Sequence, residues 1–352
     1  MTSRLETLCK KLSANTAALV LAPHHLRYLT GYPSGESWLF VTQEKAYFLT
    51  DFRYIEMAEQ TVRGAECRET SRVAEDLCAL VKLHGITAVY TEESYMTAAE
   101  YHRLAKTIPL RSGELDAWLS ELRTVKSEEE IQKIAAAQAV TEAGFQHILS
   151  TIHEGVTERE IALELEFYMR RQGAERLAFN SIVAAGTNGS QPHAIPSDKP
   201  ICRGEFITLD FGATVDGYRS DMTRTVALGT VSDEQKTVYN TVLQAQEAAL
   251  KVLRAGLPCV EGDATARRVI ETAGYGNCFG HGLGHGVGLE VHEHPRLSPS
   301  AKGQCLRAGQ VVTVEPGIYL AGRFGVRIED MVLITEQGYR NFTHVPKDLL
   351  CL

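Results

Sequence analysis

One stretch in the second half of the chain predicts a β-hairpin that carries two acidic side chains. Residues 209–225 have the sequence LDFGATVDGYRSDMTRT, and Asp216-Gly217 is a strong signal for a two-residue hairpin loop. With that loop Asp210 faces Thr223, which puts Asp221 on the same face of the ladder. An odd-numbered loop would put the aspartates on opposite faces. Adjacent carboxylates shift each other's pKa unless a cation lies between them, so the hairpin indicates a metal site; the alternative is a solvated hairpin face.

A glycine-rich segment with three histidines follows, because residues 279–293 have the sequence FGHGLGHGVGLEVHE. Glycine lets a backbone approach a site closely, and the neutral imidazoles of His281, His285 and His292 are potential ligands. The spacing matches neither a dinucleotide-binding fingerprint nor a P-loop, and no HExxH helix is present. A nucleotide site and a zincin site are therefore excluded, and His294 is expected to be structural.

Two more acidic residues lie in or beside apolar strands. Glu315 ends the run VVTV and is followed at once by a Pro-Gly turn. Glu329 lies inside the apolar strand VRIEDMVLI, where an unpaired charge would be costly. Arg327, two residues earlier, points to the same face, so an internal Arg327–Glu329 ion pair is the alternative to a functional role.

These residues together favour a pair of divalent cations. Asp210, Asp221, Glu315 and Glu329 supply four negative charges, which two divalent cations would cancel. Oxygen ligands with one imidazole, from His285, suit Mn²⁺, or else Co²⁺ or Fe²⁺, better than a thiolate-type zinc site. Two such ions activate water and polarise a carbonyl group, which is the chemistry of a dinuclear hydrolase.

The rest of the chain predicts two domains, over residues 1–124 and 125–352. In the first, strands are predicted over 17–21, 38–41, 46–49 and 86–90, with helices over 54–61 and 73–82. A capping box at Ser127 and Glu130 opens the second domain with a helix, and another helix is predicted over 158–171. After residue 179 short strands dominate, interrupted by one further helix over 232–253.

Composition excludes several classes of function. The net charge of the 352 residues is −8 and no basic run occurs, so neither nucleic acid nor an anionic membrane is an expected partner. The apolar runs are too short for a transmembrane helix. The eight cysteines are scattered without a CxxC pair, which is typical of a reduced, cytoplasmic protein.

The chain resembles the metallopeptidase family that contains methionine aminopeptidase, prolidase and aminopeptidase P. Five segments match in family order: FNSIVAAGTNGSQPHA, LDFGATVDGYRSDMTRT, HGLGHGVGLEVHEHP, VTVEPGIYL and VRIEDMVLIT. FLTDFRY, at residues 48–54, is similar to the smaller domain of prolidases and aminopeptidases P. The resemblance implies an α+β protein, with a creatinase-like N-terminal α/β domain followed by a pita-bread catalytic domain.

The resemblance also implies roles for individual residues. Its metal ligands would be Asp210, Asp221, His285, Glu315 and Glu329. Glu315 would also take a proton from the attacking water. The residues expected to hold the substrate and its tetrahedral intermediate are His193, His281 and His292, supported by Arg327.

The first expectation for function is an Xaa-Pro aminopeptidase that removes the residue before a proline at position two. The close alternative is a prolidase restricted to Xaa-Pro dipeptides, in which Arg296 would bind the proline carboxylate. The other interpretation of Arg296 is a solvated loop residue. A remote alternative is a non-catalytic binding module of the same fold, although such relatives typically lose ligands. The expected partners are small proline-containing peptides and, by family resemblance, a second copy of the chain in a homodimer.

Overall fold

The computed structural model describes residues 4–33 and 35–352. By its internal contacts the chain divides into two compact units, Met1–Arg123 and Thr124–Leu352. Each unit combines helices with β-sheets, which confirms the predicted α+β class. Among the described residues, no helix has both the length and the apolar character that crossing a membrane requires.

The first unit is built on a six-stranded mixed sheet in the order β4-β3-β2-β1-β5-β6. Its strands are β1 (Thr16–Val20), β2 (Trp38–Thr42), β3 (Ala46–Thr50), β4 (Glu66–Glu69), β5 (Ala88–Thr91) and β6 (Leu110–Arg111). Its helices are α1 (Arg4–Cys9), α2 (Pro23–Thr30), α3 (Ile55–Thr61), α4 (Val73–Leu83), α5 (Ala98–Leu104) and α6 (Leu115–Thr124). The predicted hairpin is formed by β2 and β3, in which Trp38 faces Leu49.

The second unit contains four long helices. They are α7 (Glu128–Ile148), α8 (Glu158–Arg171), α9 (Asp233–Val252) and α10 (Cys259–Thr272). Complete capping boxes begin α7, α8 and α9, and the one at Ser127 was predicted. The expectation of one helix after residue 179 is wrong, because α10 follows α9. Its N-cap is Pro258, which makes no side-chain capping bond, and Gly262 lies in its first turns, so the usual start signals are missing.

The strands of the second unit form several small sheets. They are β7 (Arg176–Leu177), β8 (Ile182–Ala185), β9 (Phe206–Phe211), β10 (Ala213–Val215), β11 (Tyr218–Arg219), β12 (Met222–Ala227), β13 (Gly284–Gly286), β14 (Glu293–Leu297), β15 (Val311–Val314), β16 (Gly317–Leu320), β17 (Phe324–Arg327), β18 (Asp330–Ile334) and β19 (Tyr339–Asn341). The two that position the site have the orders β12-β9-β8 and β14-β13-β15-β18-β19. Buried apolar residues of β9, β12, β15 and β18 pack against the helices.

The predicted register of the acidic hairpin is confirmed. Thr223 of β12 faces Asp210 of β9. The loop residues Asp216 and Gly217 both have positive φ, 46° and 77°, as a two-residue type I′ loop requires. The loop therefore has an even number of residues, and Asp210 and Asp221 share one face.

Gly212 lets the two strands of this hairpin approach each other beside the aspartates. A Cβ atom at Gly212 would lie 2.0 Å from the carbonyl oxygen of Ser220, far inside van der Waals contact. Because Ser220 immediately precedes Asp221, any side chain at position 212 would push the two acidic residues apart.

We expect Gly212→Ala to lower the free energy of unfolding by about 3 kcal/mol, because overpacking must displace backbone rather than a flexible side chain. Gly338→Ala is the matched control, since a Cβ there meets no atom within 4 Å. Denaturant unfolding of both variants measures the difference. Equal stability of the two variants would contradict the assigned close approach.

Candidate metal centre and substrate cavity

Five side chains that lie in strands or directly beside them, in distant parts of the sequence, meet at one place. Asp210 lies in β9 and Asp221 immediately precedes β12, its antiparallel neighbour. His285 is the central residue of β13. Glu315 directly follows β15, and Glu329 lies between β17 and β18. The structure thus brings together all five residues that were predicted as metal ligands.

Donor atoms of four of these residues lie within coordination reach of a neighbour in the set. His285 Nε2 is 3.1 Å from Glu315 Oε1 and 3.6 Å from Asp221 Oδ2. One donor atom from each of Asp221, His285 and Glu329 lies within 4.8 Å of the other two. Three oxygen or nitrogen donors at such distances are what a metal ion requires.

Two buried carboxylate oxygens at the centre lack a hydrogen-bond partner among the described residues. They are Asp210 Oδ1 and Glu329 Oε1. Leaving a buried acceptor of a charged group unpaired is costly, so the arrangement is poor for a purely structural cluster. Both atoms would be satisfied by coordinating a cation, and the donor set therefore fits a divalent metal.

The orientation of His285 supports the same fit. Its Nδ1–H donates to the carbonyl oxygen of Gly286 at 3.2 Å, which leaves Nε2 turned towards Asp221 and Glu315. Only a proton or a metal ion can lie between this nitrogen and the two carboxylates. The backbone carbonyl thus fixes the tautomer that a metal-binding histidine needs.

Threonine hydroxyl groups donate hydrogen bonds to two of the carboxylates. Thr313 accepts a hydrogen bond from the His285 amide at 3.0 Å and donates to Glu315 Oε1 at 3.0 Å. Thr223 donates to Glu329 Oε2 at 2.7 Å. The predictions from sequence gave neither threonine a role at the site. Both are alternating neighbours of acidic residues in strands, and that is the signal that could have identified them.

The clustered carboxyl groups shift one another's pKa values. Burial, reinforced by the charges of Glu329 and Asp210, raises the pKa of Asp221 well above its ordinary value. Burial and the charge of Glu315 raise the pKa of Glu329 in the same way. Burial also tends to raise the pKa of Glu315. The hydrogen bond and the charge of His285 act against burial, and with them the pKa of Glu315 is lowered to about 2. One carboxylate therefore stays ionised while its neighbours are pushed towards protonation, a conflict that a cation would relieve.

A cavity of about 720 Å³ opens beside the carboxylates. Its size is ordinary for a small-ligand site. Of the residues predicted for the site, only Glu329 does not line the cavity, because it is almost fully buried. The predicted residues that line it are Asp210, Asp221, His285, Glu315, His193, His281, His292, Arg296 and Arg327. Apolar side chains, including Phe179, Ile182, Ile195 and Val291, form the rest of the wall.

The predicted histidines differ in their surroundings. The ring of His292 lies edge-on to that of His285, with centroids 4.3 Å apart. Burial lowers the pKa of His292 to about 4, and burial also lowers the pKa of His281, so both imidazoles are neutral at pH 7. His193 lies on an exposed part of the cavity wall.

Arg327 forms its ion pair with Asp210, at 2.6 Å from Oδ2, and the alternative of an internal Arg327–Glu329 pair is wrong. Its Nη1 group donates to the Tyr319 hydroxyl at 2.8 Å, and its Nε group donates to Thr223 at 3.1 Å. Since Arg327 donates to the tyrosine oxygen, the hydroxyl proton of Tyr319 is available to His281 Nε2, 2.9 Å away. Arg327 thus links a metal-site carboxylate to a histidine of the cavity.

Sequence reasoning missed Tyr319. Strands β16 and β17 form a hairpin in which Gly317 faces Arg327, so Tyr319 lies diagonally across from the arginine on the same face. Counting the register around the turn at Gly322 could have placed the two side chains together.

We expect Mn²⁺ to stabilise the chelator-treated protein, by about 2.7 kcal/mol at a free concentration near one hundred times its Kd. Asp221→Asn should remove most of the resulting rise in melting temperature, because a charged ligand is lost. Asp216→Asn, in the loop of the same hairpin, should keep it, since asparagine also tolerates the positive φ found there. The measurement is thermal unfolding with and without Mn²⁺. An undiminished rise in Asp221→Asn would contradict the site.

The chain matches two family models. Metallopeptidase family M24 matches residues 132–336, and the creatinase/prolidase N-terminal domain matches residues 3–125. A curated relative, the Xaa-Pro dipeptidase of Pyrococcus furiosus, is 34% identical over 99% of this chain and 100% of its own length.

Two solved structures superpose on nearly the whole chain. An Xaa-Pro dipeptidase from Bacillus anthracis superposes with a TM-score of 0.94 at 38% identity, covering 99% of this chain and 98% of that one. An X-Pro aminopeptidase from Thermotoga maritima superposes with a TM-score of 0.91 at 37% identity, covering 98% of this chain and 100% of that one. These similarities confirm the family resemblance and the expected fold. The chain therefore belongs to metallopeptidase family M24 and has a pita-bread catalytic domain preceded by a creatinase/prolidase N-terminal domain.

Proposed function

We propose that this metallopeptidase is an Xaa-Pro dipeptidase, which hydrolyses dipeptides with proline at the second position. Two similar proteins, from Pyrococcus furiosus and Bacillus anthracis, are named Xaa-Pro dipeptidases. They favour the dipeptide-restricted alternative over the aminopeptidase that was the first expectation from sequence. The aminopeptidase remains the second candidate, because the similar Thermotoga maritima structure bears that name.

The position of Arg296 is the observation that carries the proposal. Arg296 in β14 faces His285 in β13 across the ladder, and its side chain lines the same cavity. In an Xaa-Pro dipeptide the free carboxylate belongs to the residue whose nitrogen is in the scissile bond. A guanidinium that binds this carboxylate must therefore lie close to the metal ligands, and bidentate pairing would make it specific for a free C-terminus.

The apolar part of the wall complements the substrate. A proline ring has no N–H group to satisfy and presents mainly apolar surface, so it needs packing rather than hydrogen bonds. Phe179, Ile182, Ile195 and Val291 line the cavity together with the proposed carboxylate site. The cavity thus offers both features of a C-terminal proline.

The proposed ligands are Asp210, Asp221, His285, Glu315 and Glu329, holding two divalent ions, with Mn²⁺ as the proposed metal because oxygen donors dominate. When bound, such ions polarise the scissile carbonyl and activate water. The carboxylate of Glu315, ionised at neutral pH, takes a proton from the attacking water. Neutral His292 can donate an N–H hydrogen bond to the carbonyl oxygen as negative charge develops there.

The substrate range is tested by hydrolysis of Ala-Pro, Ala-Pro amide and Ala-Pro-Ala after chelator treatment and return of Mn²⁺. We expect kcat/KM for Ala-Pro to exceed that for the other two by about a hundredfold, since a charge-assisted bidentate pair is lost in them. Arg296→Met should reduce this preference to less than about threefold. His294→Ala, on the same strand but with an exposed side chain outside the cavity lining, should retain it.

Cleavage of Ala-Pro-Ala at the Ala-Pro bond with an efficiency equal to that for Ala-Pro would instead favour the aminopeptidase. Cleavage of none of the three peptides would contradict both candidates.

Replacing Glu315 by glutamine should lower kcat by about a thousandfold or more, because the substitution removes both a ligand and the proton acceptor. The fold should survive, since the side chain lines the cavity and is not part of the apolar core. Glu336→Gln, at an exposed position, is the control and should keep full activity. Steady-state kinetics with circular dichroism measures both properties; near-normal turnover of Glu315→Gln would exclude this mechanism.

A further inference from the structure

Helix α10 carries an ion pair that lies against the loop of His281. Asp263 and Arg267 are one helical turn apart, and their carboxylate and guanidinium make two parallel contacts, Nε–Oδ2 at 2.8 Å and Nη2–Oδ1 at 2.9 Å. The Asp263 side chain is 2% exposed and that of Arg267 is 21% exposed, so the pair is largely withdrawn from solvent. We call Asp263 and Arg267 the α10 clamp.

The clamp binds the main chain of the loop at three alternate residues. Arg267 Nη1 donates to the carbonyl oxygen of Phe279 at 2.9 Å, and Nη2 donates to that of His281 at 2.8 Å. The amide of Leu283 donates to Asp263 Oδ1 at 3.0 Å. A single ion pair therefore fixes the backbone over the whole stretch 279–283.

The same guanidinium also fixes side chains. It lies over the ring of Phe279, 4.3 Å from the centroid, and Phe279 is 3% exposed. The ring of Phe279 stands edge-on to the imidazole of His281, with centroids 5.1 Å apart and planes at 89°. The backbone and the ring of His281 are thus both held from the α10 side.

His281 meets the substrate cavity on its other side. Its Nε2 atom is 2.9 Å from the Tyr319 hydroxyl, and its side chain lines the cavity, whereas Asp263 and Arg267 do not. We propose that Arg267 is a positioning residue that acts on the substrate through His281. This inference rests on the proposed function, because His281 is taken to contact the substrate.

The side-chain chemistry explains why arginine is needed. The arginine guanidinium carries five N–H donors in a planar fork. It can therefore bind a carboxylate and two carbonyl oxygens at once, and its plane can stack on an aromatic ring. A lysine ammonium can pair with Asp263 but cannot span both carbonyls in fixed directions. Arg267→Lys should therefore fold and yet leave the loop less well held.

The first test measures the loop directly. In the Mn²⁺-loaded protein, hydrogen–deuterium exchange of a peptide covering residues 279–283 should be about fivefold faster in Arg267→Met, and faster in Arg267→Lys also. Arg268→Met is the matched control: Arg268 is the next residue of α10, is 58% exposed and pairs with Glu261. Its loop exchange should equal that of the wild type. Unchanged exchange in both Arg267 variants would overturn the proposal.

The second test asks whether the effect passes through His281. Arg267→Met should lower kcat/KM for Ala-Pro about tenfold in the wild-type background but less than about twofold in a His281→Ala background, since coupled residues are not additive. Arg267→Lys serves in the same cycle if the methionine variant does not fold. A tenfold loss in both backgrounds would show a general structural role and overturn the proposal. If the Arg267 variants show faster loop exchange but the wild-type protein hydrolyses no Xaa-Pro peptide, the clamp is supported and the proposed function is contradicted.

Discussion

Mutual repulsion among four largely buried carboxylates is the constraint on which the catalytic domain depends. Asp210, Asp221, Glu315 and Glu329 lie at one place where strands from different parts of the sequence meet. Burial raises the pKa of Asp210 even though Arg327 is paired with it. Arg327 and two threonine hydroxyls compensate only part of this cost, because Asp210 Oδ1 and Glu329 Oε1 still lack a partner among the described residues. The arrangement therefore fits a cation site better than a stabilising cluster.

The backbone around the site is built for close approach. A Cβ atom at Gly284 would lie 2.1 Å from the carbonyl oxygen of Thr313, between the strands that carry His285 and Glu315. Together with Gly212 in the acidic hairpin, this glycine explains why the strands beside the candidate ligands can converge. The close approach at Gly284 therefore gives the histidine segment a packing reason for its glycine, at the candidate metal centre, that a phosphate-binding loop does not require.

Structural features that depend on local sequence rules could be predicted from the sequence. The Asp216-Gly217 loop specifies the register that places Asp210 and Asp221 on one face, and the box at Ser127 specifies the start of α7. The grouping of His285, Glu315 and Glu329 with this hairpin was inferred from the charges and ligand types of the residues and then from family resemblance, because strand periodicity contains no information on how separate sheets meet.

Features that act through tertiary contacts could not be predicted in the same way. Arg327 was paired with Glu329 in one interpretation because they are neighbours in sequence, but the structure pairs it with Asp210 in another sheet. The role inferred for Arg267 depends on main-chain carbonyl groups, which carry no sequence signal at all. Helix α10 itself lacked a capping signal, so a helix that supports the site was not expected.

The most direct test of the dinuclear centre is X-ray diffraction from crystals of the Mn²⁺-loaded protein, measured at the manganese absorption edge. The account predicts two anomalous peaks about 3.5–4 Å apart, both contacted by side chains from the set Asp210, Asp221, His285, Glu315 and Glu329. No peak among these residues at saturating Mn²⁺, or peaks only elsewhere on the protein, would contradict it.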